Sequence, residues 1–166
     1  MNIPEAIERA LREPANYAPH FTARVAELGQ SLQSALRTAV AHDSDMNYRV
    51  GQYLSFITPG EKTPRSKKSA PVEVRIYLSS KAKLFAFYCF DSKAAFLPAG
   101  GLNHPLPPDL LPDYARHDIA AARALLIDQG LTEVDHSFFS MPAPGCRTEM
   151  DDLPANIFEA LFAEVV

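Results

Sequence analysis

The chain has 166 residues, of which 47% are hydrophobic and 22% charged, and its formal net charge is -4. A chain of about 150 residues can bury about 68–70% of the surface that it exposes when unfolded, so residues 1–166 are predicted to form one domain. This composition excludes a disordered tail, and the longest apolar runs, 84–90 and 119–127, fall short of the ~20 residues of a membrane-spanning helix.

Two helices are predicted at the start of the chain. A short amphipathic helix over 4–12 is expected to end before Pro14, which cannot continue it. A longer helix is predicted over 19–41, because apolar residues recur there every three or four positions and form one stripe. Gly29 lies inside this helix and predicts a close contact with the sheet.

Three strands are predicted next, over 47–57, 71–79 and 83–90. In the second, Val72, Val74, Ile76 and Leu78 alternate with polar or larger residues, as a half-buried strand requires. The third is apolar on both sides and is expected to be covered on both faces. Short turn residues at 79–81 predict a hairpin, so the strands form an antiparallel β-meander.

The rest of the chain is predicted to begin with an irregular Pro-rich loop over 92–112, a helix over 113–129 and a short strand over 131–135. A second loop over 140–150 and a final helix over 153–165 are predicted to follow. Asp113 and Gly130 are expected to cap the helix over 113–129, and Asp151 or Asp152 is expected to cap the helix over 153–165. These elements predict a two-layer α+β domain, in which a meander of at least three strands packs against the long N-terminal helix and two further C-terminal helices complete the core.

The ends and the cysteines of the chain bear on its location. The first 14 residues mix acids and bases and lack the apolar stretch of a signal peptide, which predicts a cytoplasmic protein. Cys89 lies in an aromatic run and Cys146 in a Pro-Gly loop, so no disulfide framework is expected.

Metal and cofactor sites are not predicted. His104, His117 and His136, with nearby aspartates, lack the ligand spacing of a recognisable zinc site. The loops at 59–62 and 98–101 lack the sequence of a phosphate-binding loop, which disfavours nucleotides.

Two alternatives to a protein-binding function remain open. Cys146, beside Arg147, could act with His136 as the nucleophile and base of a small hydrolase or transferase. A basic hairpin loop over 61–68, together with Arg75 and Tyr77, could instead hold phosphates and stack bases of a nucleic acid. The basic residues of that loop are Lys62, Arg65, Lys67 and Lys68.

The distribution of charge favours a third function. Residues 1–48, 49–93 and 94–166 carry net charges of -2, +6 and -8. An acidic second half without a catalytic motif predicts a non-enzymatic protein that neutralises or regulates a partner protein, in the manner of an antitoxin or immunity protein facing a toxin or effector enzyme with a basic site. The predicted contact residues are acidic: Asp109, Asp113, Asp118, Glu149, Asp151 and Asp152.

Overall fold

The computed structural model describes residues 2–61, 71–91 and 111–164. Within these ranges the chain forms four α-helices and seven strands. The helices are α1 (Glu5–Arg12), α2 (Pro19–Leu36), α3 (Asp113–Asp128) and α4 (Ile157–Leu161). The strands are β1 (Ala41–Asp43), β2 (Gly51–Thr58), β3 (Val72–Ser79), β4 (Leu84–Asp91), β5 (Thr132–Glu133), β6 (Pro142–Arg147) and β7 (Pro154–Asn156). None of the helices in these ranges is long and apolar enough to cross a membrane.

The predicted α+β class and antiparallel meander are confirmed. Strands β1 to β5 form one sheet in that order, in which β1 to β4 are antiparallel and only β5 runs parallel to its neighbour. The register pairs Phe56 with Val74 and Ile76 with Phe87, so that apolar residues of three strands share each face. A second, two-stranded sheet contains β6 and β7.

Both faces of the main sheet are covered, which makes three layers and corrects the two-layer prediction. On one face, α2 and α3 pack against residues such as Leu54 and Phe87. On the other, α1, α4 and the β6–β7 sheet pack against residues such as Tyr77 and Tyr88. Because β3 and β4 carry large apolar side chains on both sides, the sheet needs two covering layers.

The long helix is the second helix of the chain, and not the first. The first, α1, has only eight residues, whereas α2 has 18 and ends at Leu36, before the predicted limit of 41. Arg37 follows with a left-handed backbone (φ 51°), and residues Ala41–Asp43 leave the helix to pair with β2. The predicted close contact at Gly29 is confirmed, since a Cβ there would lie 3.0 Å from Leu54 Cδ2.

The end of the chain differs more from the prediction. The predicted loop 140–150 contains β6, and the predicted helix 153–165 is replaced by β7 and the five-residue α4. Its cap is Asn156, whose side chain accepts a hydrogen bond from the Glu159 N–H, and not Asp151 or Asp152. Most of the predicted Pro-rich loop, residues 92–110, lies outside the described residues.

Candidate protein-binding surface

The acidic residues predicted as contact groups do not form one face. Asp109 lies outside the described residues, and Asp113 is exposed at the start of α3, where it pairs with Arg116. Three others, Glu149, Asp151 and Asp152, lie in the connection between β6 and β7. Because α3 and the β6–β7 sheet cover opposite faces of the main sheet, these two sets are separated.

Asp118 is buried, and its prediction as a contact residue is wrong. Its side chain lies on the inner side of α3 and the residue is 5% exposed. One carboxylate oxygen accepts hydrogen bonds from the Thr58 hydroxyl and, at 2.9 Å, from the Gly60 N–H. Asp118 therefore fastens the end of β2 to α3 and has no surface to offer a partner.

The other acids belong to an ordered turn, residues 148–153, which we call the acidic turn. Its ends are joined by the Thr148 N–H, which donates to the Leu153 carbonyl at 2.9 Å. The Thr148 hydroxyl donates to Asp151, and Arg147 Nε donates to Asp152 Oδ1 at 2.7 Å. Asp152 has a left-handed backbone (φ 56°), which closes the turn.

The acidic turn is also fastened to the C-terminal segment. The Glu164 carboxylate accepts hydrogen bonds from the N–H groups of Glu149 and Met150. The Glu164 N–H in turn donates to the Tyr48 carbonyl at 3.1 Å. One residue thus connects the acidic turn with the segment that precedes β2, and both are held in a fixed position.

A cleft of about 360 Å³ opens beside the acidic turn, and we call it the acidic cleft. Its walls come from the segment after α1, the residues around Tyr48, the end of β6 and α4. The cleft contains four glutamates, none of which forms an ion pair within the described part of the chain: Glu13, Glu149, Glu159 and Glu164.

Two of the three basic residues in the cleft are already neutralised. Arg49 Nη1 lies 3.0 Å from an Asp43 oxygen, and Arg147 pairs with Asp152. The third is Lys81, which lines the cleft without a carboxylate partner among the described residues. The acidic cleft therefore carries an excess of negative charge.

Large apolar side chains are exposed around this cleft. Tyr17 and Tyr48 line it and are 58% and 42% exposed, and Met150 and Leu153 of the acidic turn are 45% and 55% exposed. These are four of the six exposed large hydrophobic residues in the described ranges. Partial burial and then the nearby Glu149 raise the pKa of Tyr17, and both residues line the acidic cleft.

Sequence reasoning identified the acidic turn but missed the two tyrosines. Both follow an Asn outside the predicted helices, Tyr17 between the first two and Tyr48 at the start of the predicted strand over 47–57, and a large aromatic residue in such a position is a usable signal. Neither their proximity to each other nor that to Glu149 could be read from positions so far apart along the chain.

The Cys146–His136 pair is not brought together. Cys146 lies in the acidic cleft, with its Sγ 3.9 Å from the Leu11 carbonyl oxygen. His136 lines a separate small cavity, whose cysteine is Cys89. Burial raises the pKa of the Cys89 thiol to about 12, so this thiol stays protonated and is a poor nucleophile.

Metal-ligating side chains are dispersed as well. Across residues 2–61, 71–91 and 111–164, no group of three or more His, Cys, Asp or Glu side chains could hold a metal ion. His104 lies outside these ranges.

The residues proposed for nucleic-acid binding have structural roles where they are described. The Arg75 guanidinium lies 4.8 Å from the centre of the Tyr53 ring and 4.7 Å from that of Phe90, and Nε donates to Glu73 at 2.8 Å. Tyr77 is 5% exposed and therefore cannot stack on a base. The basic loop, with Lys62, Arg65, Lys67 and Lys68, lies outside the described residues.

No known protein family, curated protein sequence or solved structure matches this chain.

Proposed function

We propose that this chain is a protein-binding domain that neutralises or regulates a partner protein, as antitoxins and immunity proteins do, and that it binds through the acidic turn and the acidic cleft. The observation that carries the proposal is the grouping of four exposed apolar side chains around four glutamates without ion pairs. The single domain over residues 1–166 and a cytoplasmic location remain part of this proposal.

The composition of this surface favours a protein partner. Tyrosine and methionine are enriched in the buried centres of protein interfaces, and tyrosine is among the residues that contribute most to binding. Tyr17, Tyr48 and Met150 would supply this apolar contact. The surrounding carboxylates favour a partner with a basic surface, such as a toxin or effector enzyme whose active site is basic.

The order of the acidic turn also supports binding. Glu164, Thr148 and Arg147 already hold the turn through hydrogen bonds, so little conformational entropy is lost when a partner docks. The turn also presents Asp151, Met150 and Leu153 from a rigid base, which favours a single binding geometry.

Affinity purification with the full-length chain tests the proposal. We expect a partner protein to be recovered in a stoichiometric amount and its activity to fall when the purified chain is added. Glu149→Lys should slow association severalfold at low salt and less at high salt, because steering by exposed charges is screened by salt. Glu149 suits this test since the hydrogen bond to Glu164 uses its backbone and not its side chain.

Asp128→Lys is the matched control. Asp128 is exposed at the end of α3, on the opposite face of the sheet, and the substitution makes the same change of charge. Association should be unchanged in this variant. Failure to recover a stoichiometric partner, or an equal effect of both substitutions, would contradict the proposal.

A further inference from the structure

A third cavity, of about 170 Å³, lies between the first turns of α2 and the turn that joins β3 to β4. Its inner wall is apolar and comes from two turns of α2, from β3 and from the segment between α3 and β5: Phe21, Val25, Leu28, Leu78 and Leu131. Its rim is basic and polar, and includes His20, Arg24, Lys81 and Lys83. None of the residues described as lining it is an aspartate or glutamate. We call this cavity the basic pocket.

The arginine and the two lysines of this pocket have no carboxylate partner among the described residues. Six arginines in the described part of the chain form ion pairs: Arg9, Arg49, Arg75, Arg116, Arg123 and Arg147. The arginines and lysines without one in that part are Arg12, Arg24, Arg37, Lys81 and Lys83. Three of these five line the basic pocket, which concentrates uncompensated positive charge there.

Hydrogen bonds hold the basic pocket in shape without a ligand. The Ser80 hydroxyl accepts from the Asn16 N–H at 2.9 Å and donates to the Val50 carbonyl. The Ser79 hydroxyl accepts from the Lys81 N–H at 3.2 Å, so the turn that carries both basic side chains is fixed. A preformed site of this kind loses little entropy on binding.

We infer that the basic pocket binds a small amphiphilic anion, a carboxylate or phosphate attached to a short apolar chain. The unpaired cations select a negative head group, and the apolar wall gains by covering a hydrocarbon tail. The volume lies below the roughly 300–1,000 Å³ of pockets for drug-sized ligands, which excludes a dinucleotide or other large cofactor. This site shares Lys81 with the acidic cleft, but its other lining residues are different and the inference does not depend on the proposed function.

Titration of the isotope-labelled full-length chain with hexanoate, followed by two-dimensional NMR, tests the inference. We expect saturable shifts of the backbone amides at 79–83 and 20–25. Acetate has the head without the tail, and hexan-1-ol has the tail without the charge, so each should bind at least about tenfold more weakly. Hexyl phosphate, titrated in parallel, shows which head group the site prefers.

The double variant Arg24→Gln/Lys83→Gln should weaken hexanoate binding by about tenfold or more, because it removes two charge-assisted contacts. Lys81 is left unchanged because it also lines the acidic cleft. Arg12→Gln is the control, since Arg12 is exposed, has no ion pair among the described residues and lies outside the basic pocket, and this variant should bind hexanoate as the unchanged chain does. The inference is overturned if neither anion binds saturably, if hexylammonium binds as well as hexanoate, or if the double variant keeps full affinity.

Discussion

Two aspartates on α3 have different roles, although sequence reasoning predicted both as contact residues for a partner. Asp113 is exposed and pairs with Arg116, whereas Asp118 is buried and fastens β2 to the helix. Five residues of an α-helix separate side chains by about 140° around its axis, so the two point to different sides. A net charge summed over residues 94–166 cannot distinguish them, and only the position of β2 shows which aspartate faces inward.

The buried position of Asp118 predicts a large effect on stability. Asp118→Ala leaves the buried Gly60 N–H without its acceptor and leaves the Thr58 hydroxyl only the Tyr114 carbonyl, at 3.3 Å, which should lower the free energy of unfolding by about 2–5 kcal/mol. Asp113→Ala, the control, removes an exposed pair and should change it by less than about 1 kcal/mol. Urea unfolding of both variants measures this difference.

A double-mutant cycle then isolates the hydroxyl contact. Combining Asp118→Ala with Thr58→Val should give a coupling energy of about 1–3 kcal/mol, because the two substitutions remove the acceptor and the donor of the same buried hydrogen bond. Additive effects would show that Asp118 acts through Gly60 or through packing.

At the scale of elements, strands β2 to β5 were predictable, whereas β1, β6 and β7 were not. Alternation of apolar residues indicated β3, and an apolar run indicated β4, since burial imposes these patterns. Strand β6 has the sequence PAPGCR, in which two prolines and a glycine hide any strand pattern. The apolar spacing at 157–165 is helical, yet the helix covers only Ile157–Leu161. Asn156, after β7, caps its start, and Phe162, whose backbone is not helical (φ -130°), ends it.

Two glycines show the same limit of prediction from the sequence. Sequence reasoning recognised Gly29, inside a helix, but not Gly51, which opens β2. A Cβ at Gly29 would meet the end of the Leu54 side chain, which can shift. A Cβ at Gly51 would lie 2.2 Å from the Leu78 carbonyl oxygen, an atom of the neighbouring strand. The second contact arises from pairing between strands, for which a single glycine at the start of a strand gives no signal.

These contacts predict different costs for the same substitution. Gly51→Ala should destabilise the chain by more than about 3 kcal/mol, because the sheet must open to admit the methyl group. Gly29→Ala should change stability by about 1 kcal/mol or less, since gained helix propensity offsets the contact with Leu54. Thermal unfolding of the two variants measures both effects, and equal melting temperatures would contradict the assignment of Gly51 to a closely packed strand pair.

At the scale of the whole molecule, folding redistributes the charge seen along the chain. The acidic cleft combines Glu13 from the first half with Glu149, Glu159 and Glu164 from the second, and the basic pocket combines α2 with the β3–β4 turn. The acidic character of the second half was visible in the sequence. The exposed tyrosines and the basic pocket were not, because each depends on segments that meet only after the sheet has formed.

The titratable groups of the fold limit the pH range over which it is most stable. Burial tends to raise the pKa of Asp43, but hydrogen bonds from Tyr53, Arg49 and the Asp45 N–H outweigh it and hold that pKa below its usual range. A hydrogen bond from the Ser137 N–H, the largest of several causes, lowers the pKa of Asp135. Burial, followed by the nearby Tyr77, raises the pKa of Tyr88 to about 12.

The directions of these shifts fix where stability is lost. Carboxylates with a lowered pKa stabilise the fold above the unfolded value of about 3.9 and lose that contribution as the pH falls further. A tyrosine with a raised pKa contributes fully below the unfolded value of about 10 and loses its contribution as the pH rises toward 12. We therefore expect the free energy of unfolding to decrease when the pH is lower than about 4 or higher than about 10.

Urea unfolding across this pH range should show a weaker acid dependence in Asp43→Asn/Asp135→Asn and a weaker alkaline dependence in Tyr88→Phe, whereas Asp128→Asn should follow the unchanged chain. Identical pH profiles for all the variants would show that these groups do not set the limits.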